Sequence, residues 1–82
     1  KLSSEQTDLF DVLKELRAEV AKEAGIPAYV VFSNATLTDM AKKRPLTISE
    51  FKKVSGVGEI KASWYGNTFL TRIREYLDEQ GQ

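Results

Sequence analysis

Residues 26–34 read Ile26-Pro27-Ala28-Tyr29-Val30-Val31-Phe32-Ser33-Asn34, and the class of the fold turns on how they are taken. Tyr29 to Phe32 is a β-branched and aromatic run, the composition of a short strand. No other segment of the chain offers it a partner strand, however, and an unpaired strand leaves its backbone N–H and C=O groups unsatisfied. A buried irregular segment or a single helical turn is therefore expected. The fold is read as all-α.

The flanking segments agree with that reading. Upstream, Leu9, Leu13, Leu16 and Val20 recur at spacings of four, three and four, which is one face of a helix from about Ser4 to Ala24. Phe10 widens the stripe. Asp11, Lys14, Glu15, Glu19, Lys22 and Glu23 take the solvent side, with Asp11–Lys14 and Glu19–Lys22 as i,i+3 pairs. Ser3 and Gln6 have the spacing of a capping box, and Gly25 is placed to end the helix. Downstream, Ser33 or Asn34 caps a helix through Arg44, with Leu37, Met40 and Ala41 inward and Pro45 stopping it. Thr47-Ile48-Ser49-Glu50 is a second capping box, opening a short helix with Ile48, Phe51 and Val54 inward.

Ser55-Gly56-Val57-Gly58 then breaks the chain. Glu59 to Tyr65 reads as a further helical stretch, and after Gly66-Asn67 the spacing of Phe69, Leu70, Ile73, Tyr76 and Leu77 marks a second long amphipathic helix. The expectation is one compact bundle of about five helices over residues 1–82, with its core at about 9–77. Long first and last helices flank short middle ones.

Composition excludes several kinds of protein. The 82 residues carry 12 Lys+Arg against 12 Asp+Glu, with no His and no Cys. There is room for one small domain, and no zinc knuckle, disulfide framework, thiol nucleophile or histidine base is available. Hydrophobic residues at 41% and charged residues at 29% are ordinary for a globular chain and unlike a disordered one. No apolar stretch approaches the roughly 18 residues of a membrane span, and the charged first twenty residues are no signal peptide. The chain opens on Lys1, so it is read as a piece excised from a larger protein.

Little in the sequence suits catalysis. Gly56-Val57-Gly58-Glu59-Ile60-Lys61 lacks the glycine spacing, the Lys-Ser/Thr pair and the preceding strand of a phosphate-binding P-loop. The carboxylates fall on solvated helix faces. No catalytic residue, metal ligand or cofactor is assigned, and the domain alone is read as not an enzyme.

Binding is a different matter. A glycine-flanked turn that opens a helix leaves backbone N–H groups free to meet a phosphate oxygen, and Lys61 would add its charge at the same place. The plainer alternative is that Gly56 and Gly58 only let two helices turn back, with Val57 plugging the core. Tyr29 offers a flat ring for a nucleobase, worth roughly 1–3 kcal/mol per base; it can equally be a core tyrosine with its hydroxyl at the surface. Lys42-Lys43-Arg44, Lys52-Lys53 and Lys61 put six positive charges in one stretch, either a patch or dipole partners at helix ends.

Three separated motifs, in order, carry a family resemblance. Pro27-Ala28-Tyr29-Val30-Val31-Phe32-Ser33-Asn34-Ala35-Thr36-Leu37, then Gly56-Val57-Gly58-Glu59-Ile60-Lys61, then Tyr65-Gly66, resemble the helicase-and-RNase-D C-terminal (HRDC) domain. The form it looks most like ends bacterial RecQ-type DNA helicases, and the match spans about Leu9 to Leu77. The resemblance implies a bundle of about five helices serving as an auxiliary nucleic-acid-binding module, with ATP hydrolysis in other domains of the parent. It also implies that Tyr29 and Lys61 lie in a DNA-contacting region. Where the family usually reads Lys-Leu-Glu-Arg-Tyr-Gly, this chain has Lys61-Ala62-Ser63-Trp64-Tyr65-Gly66. Trp64 is expected to turn inward and fill volume lost at Ala62; exposed, it is an extra stacking ring or a protein-contact hot spot.

The site expected from these features consists of Tyr29, Lys61, Gly56 and Gly58, with Lys22, Lys52 and Lys53 as nearby charges and Trp64 as an extra contact. Its ligand is DNA, single-stranded or partly duplex; its other partners are domains of the parent helicase. A monomer in the bacterial cytoplasm, at the nucleoid through DNA, is expected, with no membrane contact. Two alternatives stand beside this: a domain-docking module with little DNA binding, and the RNA-binding domain of a ribonuclease D-type protein. The charge balance does not exclude a nucleic acid. Residues 25–61 hold 6 positive and 3 negative charges, and the segments on either side are net negative. A local, weak site fits that distribution better than a strong clamp.

Overall fold

The structure, a computed structural model, describes residues 4–80, with side chains from residue 8 onward. The Ser3–Gln6 capping pair lies outside the described residues. Five helices follow one another: α1 (Ser4–Ala24), α2 (Ala28–Val31), α3 (Asn34–Lys43), α4 (Ile48–Phe51) and α5 (Glu59–Glu79). Among the described residues there is no strand, so the all-α class holds.

Each junction has a local cause. At the end of α1, Gly25 takes φ 70°, and the Gly25 and Ile26 N–H groups donate to the Lys22 and Ala21 carbonyls at 3.2 and 3.0 Å. This Schellman closure satisfies carbonyls that the helix end would leave open. The run Tyr29–Phe32 is a single helical turn after Pro27, with the Val30 N–H donating to the Pro27 carbonyl. Ser33, not Asn34, caps α3, its Oγ accepting from the Thr36 N–H at 3.1 Å. Arg44 leaves that helix in the left-handed region at φ 48°, ahead of the buried Pro45. Thr47 caps α4 as expected, but Glu50 reaches one residue further back and accepts from the Leu46 N–H at 2.8 Å.

Two expectations are corrected. The helical stretch from Glu59 and the long helix after Gly66-Asn67 are one continuous helix, α5. A mid-helix glycine costs about 1 kcal/mol in propensity, which is why the pair read as a break. Packing outweighs that cost here. A Cβ on Gly66 would come within 2.6 Å of Ile48 Cδ1, so the missing side chain is what lets α4 lie against α5. Ile48 itself was expected inward, yet it is 38% exposed. It stands at the first position of a one-turn helix, with its tip over Gly66 and the rest of it at the rim.

The core runs between the two long helices. Leu9 and Leu13 of α1 meet Leu37, Met40 and Ala41 of α3, while Phe69, Leu70 and Ile73 come from α5. At one end an aromatic cluster centres on Phe32, with the Phe51, Tyr65 and Phe69 rings edge-on at 6.0, 5.6 and 5.1 Å between centroids. Edge-to-face pairs of this kind add about 0.5–1.5 kcal/mol each beyond area burial. The radius of gyration of 11.7 Å is that of a fully compact chain of this length.

Candidate nucleic-acid interface

Tyr29 is settled by the turn that carries it. Val31 and Phe32 are drawn into the core at 0% and 1% exposure, which leaves Tyr29 outside at 73%. The core-tyrosine alternative is therefore excluded. The turn is held from beneath by Arg17 of α1, a buried side chain whose guanidinium donates to the Phe32 carbonyl at 2.9 Å. Sequence reasoning passed over Arg17. Its signal was position: it sits four residues after Leu13 and four before Ala21, on the buried stripe. Its Nε has no hydrogen-bond partner among the described residues.

The glycine turn is built rigidly against α3. Gly56 takes φ 87°, and a Cβ there would overlap Thr36 Oγ1. Val57 is buried, as the plainer reading of the turn had it. The Ser55 N–H donates to Asp39 Oδ2 at 2.7 Å, while Lys43 Nζ bridges Asp39 at 2.9 Å and the Lys53 carbonyl at 2.9 Å. The Ser55 N–H first, and then the Lys43 ammonium, hold the Asp39 carboxyl below the ordinary aspartate range. Lys43, one of the six charges that the sequence groups together, is thus part of a clamp.

From that turn α5 starts with an open end. Gly58 is its N-cap, in extended backbone and with no side-chain cap, whereas Ser33 and Thr47 close α3 and α4. The first N–H groups of a helix have no intrahelical acceptor, so this end carries partial positive charge toward solvent. Lys61 lies in the same first turn. Its Nζ stands 5.7 Å from the centroid of Phe32, the ring at the end of the Tyr29 turn. A cation over an aromatic face is attracted to it by about 0.5–1 kcal/mol at an exposed site. Phe32 thereby ties the Lys61 segment to the turn that presents Tyr29.

The other predicted charges belong to α1 and to the chain just after α4. Lys22 is exposed in the last turn of α1. Lys52 lines a groove between α4 and α5, together with Ile48, Glu59, Ala62, Ser63 and Asn67. Lys53 is exposed, with its carbonyl taken by Lys43. Lys22, Lys52, Lys53 and Lys61 form no ion pair among the described residues.

Trp64 reverses its expectation. It does not fill the space at Ala62; it is 66% exposed, edge-on to Tyr65 at 6.1 Å. Residues two apart on a helix do not share a face, so a side chain at 64 cannot replace one at 62. Among the described residues no group of three or more metal-ligating side chains is placed to hold an ion, and no helix is long and apolar enough to cross a membrane.

Comparison with known proteins agrees on one relationship. The sequence profile of the HRDC domain matches residues 6–73. The ATP-dependent DNA helicase RecQ of Bacillus subtilis is 42% identical over 73 residues, covering 89% of this chain and 12% of that protein. RecQ of Haemophilus influenzae is 41% identical over 69 residues, 84% of this chain and 11% of its own length. A solved structure, HRDC domain 3 of D. radiodurans RecQ, superposes with a TM-score of 0.87 at 44% identity, covering 92% of this chain and 99% of that one.

Proposed function

The chain belongs to the HRDC domain family, and from that premise we propose that it is an accessory DNA-binding module of a RecQ-type helicase. It spans about one eighth of the RecQ proteins of Bacillus subtilis and Haemophilus influenzae, so unwinding and ATP hydrolysis belong to the larger protein in this proposal. The domain binds single-stranded or partly duplex DNA weakly and tunes which substrates the parent engages. Tyr29 stacks on a base, Lys61 and the Gly56–Gly58 turn hold phosphate, and Lys22, Lys52 and Lys53 attract the strand from further off.

The observation that carries this reading is the Tyr29 ring, 73% exposed on a pinned turn, with the Lys61 ammonium beside the last residue of that turn. A ring left in water at the surface of a small domain has a use when a flat ligand covers it. On this reading the domain works as a monomer within its parent, in the bacterial cytoplasm and at the nucleoid through DNA.

A fluorescently labelled oligonucleotide at low salt tests it. Binding is expected to weaken by about fivefold or more in Tyr29→Ala and in Lys61→Ala. With about three phosphates neutralised on a single strand, log affinity falls against log salt with a slope of about −2. Absence of binding, or binding that both substitutions leave unchanged, would falsify it. Docking against other domains of the parent is the second reading, favoured by the zero net charge and by Leu46 and Ile48 at the surface. It predicts association with those domains and no response to DNA.

A further inference from the structure

Ile60 and Trp64 stand one turn apart on α5, at 64% and 66% exposure, far more open than the tyrosine next to them. The Trp64 ring has one aromatic neighbour. It meets Tyr65 edge-on at 6.1 Å, Tyr65 meets Phe32 edge-on at 5.6 Å, and Phe32 closes the turn that presents Tyr29. Two ring contacts therefore connect Trp64 to the α2 turn. Lys61 precedes Trp64 by three residues, so the two are surface neighbours, and the Lys61 ammonium lies over that same Phe32 ring. The first turn of α5, which has no side-chain cap and holds Glu59 as well as Lys61, completes the surroundings.

The chemistry of this arrangement fits one kind of occupant. An exposed indole beside an ammonium group and open backbone amides offers a π face together with a place for a phosphate. The segment from Gly25 to Lys61 also carries the chain's excess of positive charge, 6 against 3, which suits a polyanion. Bases within a duplex are already stacked on their neighbours, so only an unpaired base gains by lying on a protein ring.

We propose that Trp64 is a second stacking platform in addition to Tyr29, and that it makes the site select single-stranded over duplex DNA. It rests on the DNA-binding reading above. It deepens that reading by naming the residue that sets the preference.

Trp64 is the one tryptophan of the chain, so its emission reports on it directly. The experiment titrates the 82-residue chain with an oligo-dT strand and with a duplex of equal length, at low salt. Quenching of the emission is expected with the strand and not with the duplex. In Trp64→Ala, anisotropy of a labelled strand should show single-strand affinity down by about tenfold, with duplex affinity changed by less than about twofold. Trp64→Phe, which keeps a ring, should recover most of the difference, and the helical circular dichroism of both variants should match the parent chain.

Three results overturn the proposal. The first is strand binding that depends on Tyr29 and Lys61 while Trp64 emission stays constant; this sinks the role of Trp64 and leaves the DNA-binding reading intact. The second is an equal loss for strand and duplex in Trp64→Ala. The third is an emission change on adding the parent's other domains without any binding of DNA, which removes the underlying reading as well and assigns the ring to a protein contact.

Discussion

At Gly56 the backbone lies at φ 87° and a Cβ would run into the Thr36 hydroxyl, so two separate penalties meet in one position. Gly56→Ala is expected to cost about 1–3 kcal/mol, read as a lower denaturant midpoint with an unchanged slope. Gly58→Ala is the control. That position has extended backbone and open space around it, so its cost stays below about 1 kcal/mol. Asp39 supplies a second test, through pH. Its carboxyl is held below the ordinary aspartate value by the Ser55 N–H and by Lys43. A carboxyl with a lower pKa folded than unfolded stabilises the fold while ionised, and that contribution fades as pH falls below about 3.9 toward the lowered value. Asp39→Asn should therefore be the less stable chain at pH 7, and the two stability curves should converge in acid, as measured by urea unfolding across pH.

Among the elements, α1, α3 and α4 were legible because their signals are local. Apolar spacing, a Ser or Thr cap and the glycine after α1 act within a few residues of each other, and all appear where the sequence puts them. The single turn of α2 was legible by elimination, for want of a second strand. What escaped sequence reasoning depends on distant partners. Gly66 reads as a breaker until α4 is placed on it, Arg17 has no reading of its own until the Phe32 carbonyl is found above it, and Ile48 is left at a rim that only the α4–α5 packing defines. The site divides in the same way. The burial of Val57 in the glycine turn was readable from type and order, whereas the groove position of Lys52, the clamp role of Lys43 and the exposure of Tyr29 and Trp64 follow from tertiary placement. The open end of α5 yields a prediction with opposite signs. Gly58→Asp gives that helix the cap it lacks, worth about 0.5–2 kcal/mol, and puts a carboxylate where a phosphate is proposed to sit. Thermal stability should rise while oligonucleotide affinity falls, in the same sample.

For the molecule as a whole, zero net charge does not mean an even surface. The positive excess belongs to the segment that holds Tyr29 and the glycine turn, and the long end helices carry the compensating acid groups. Attraction to a polyanion is then short-ranged, since charges more than about 8–10 Å apart are screened at ordinary salt. The anchoring of the glycine turn has a further consequence, in time rather than in energy. Asp39 fixes Ser55, Lys43 fixes the Lys53 carbonyl, and Val57 is sunk in the core, so the turn has its shape before any strand arrives. Nothing has to fold on arrival or unfold on departure. For a Kd at the weak end of non-specific binding, roughly 10⁻⁴ M, and steered encounter at about 10⁸ M⁻¹s⁻¹, each contact lasts roughly 0.1 ms. Amide resonances of residues 54–61 should accordingly move continuously during a titration with oligo-dT, in the fast-exchange regime of NMR, without broadening beyond detection or splitting into two sets. On the proposed reading, the domain touches the strand briefly and repeatedly, many times each second.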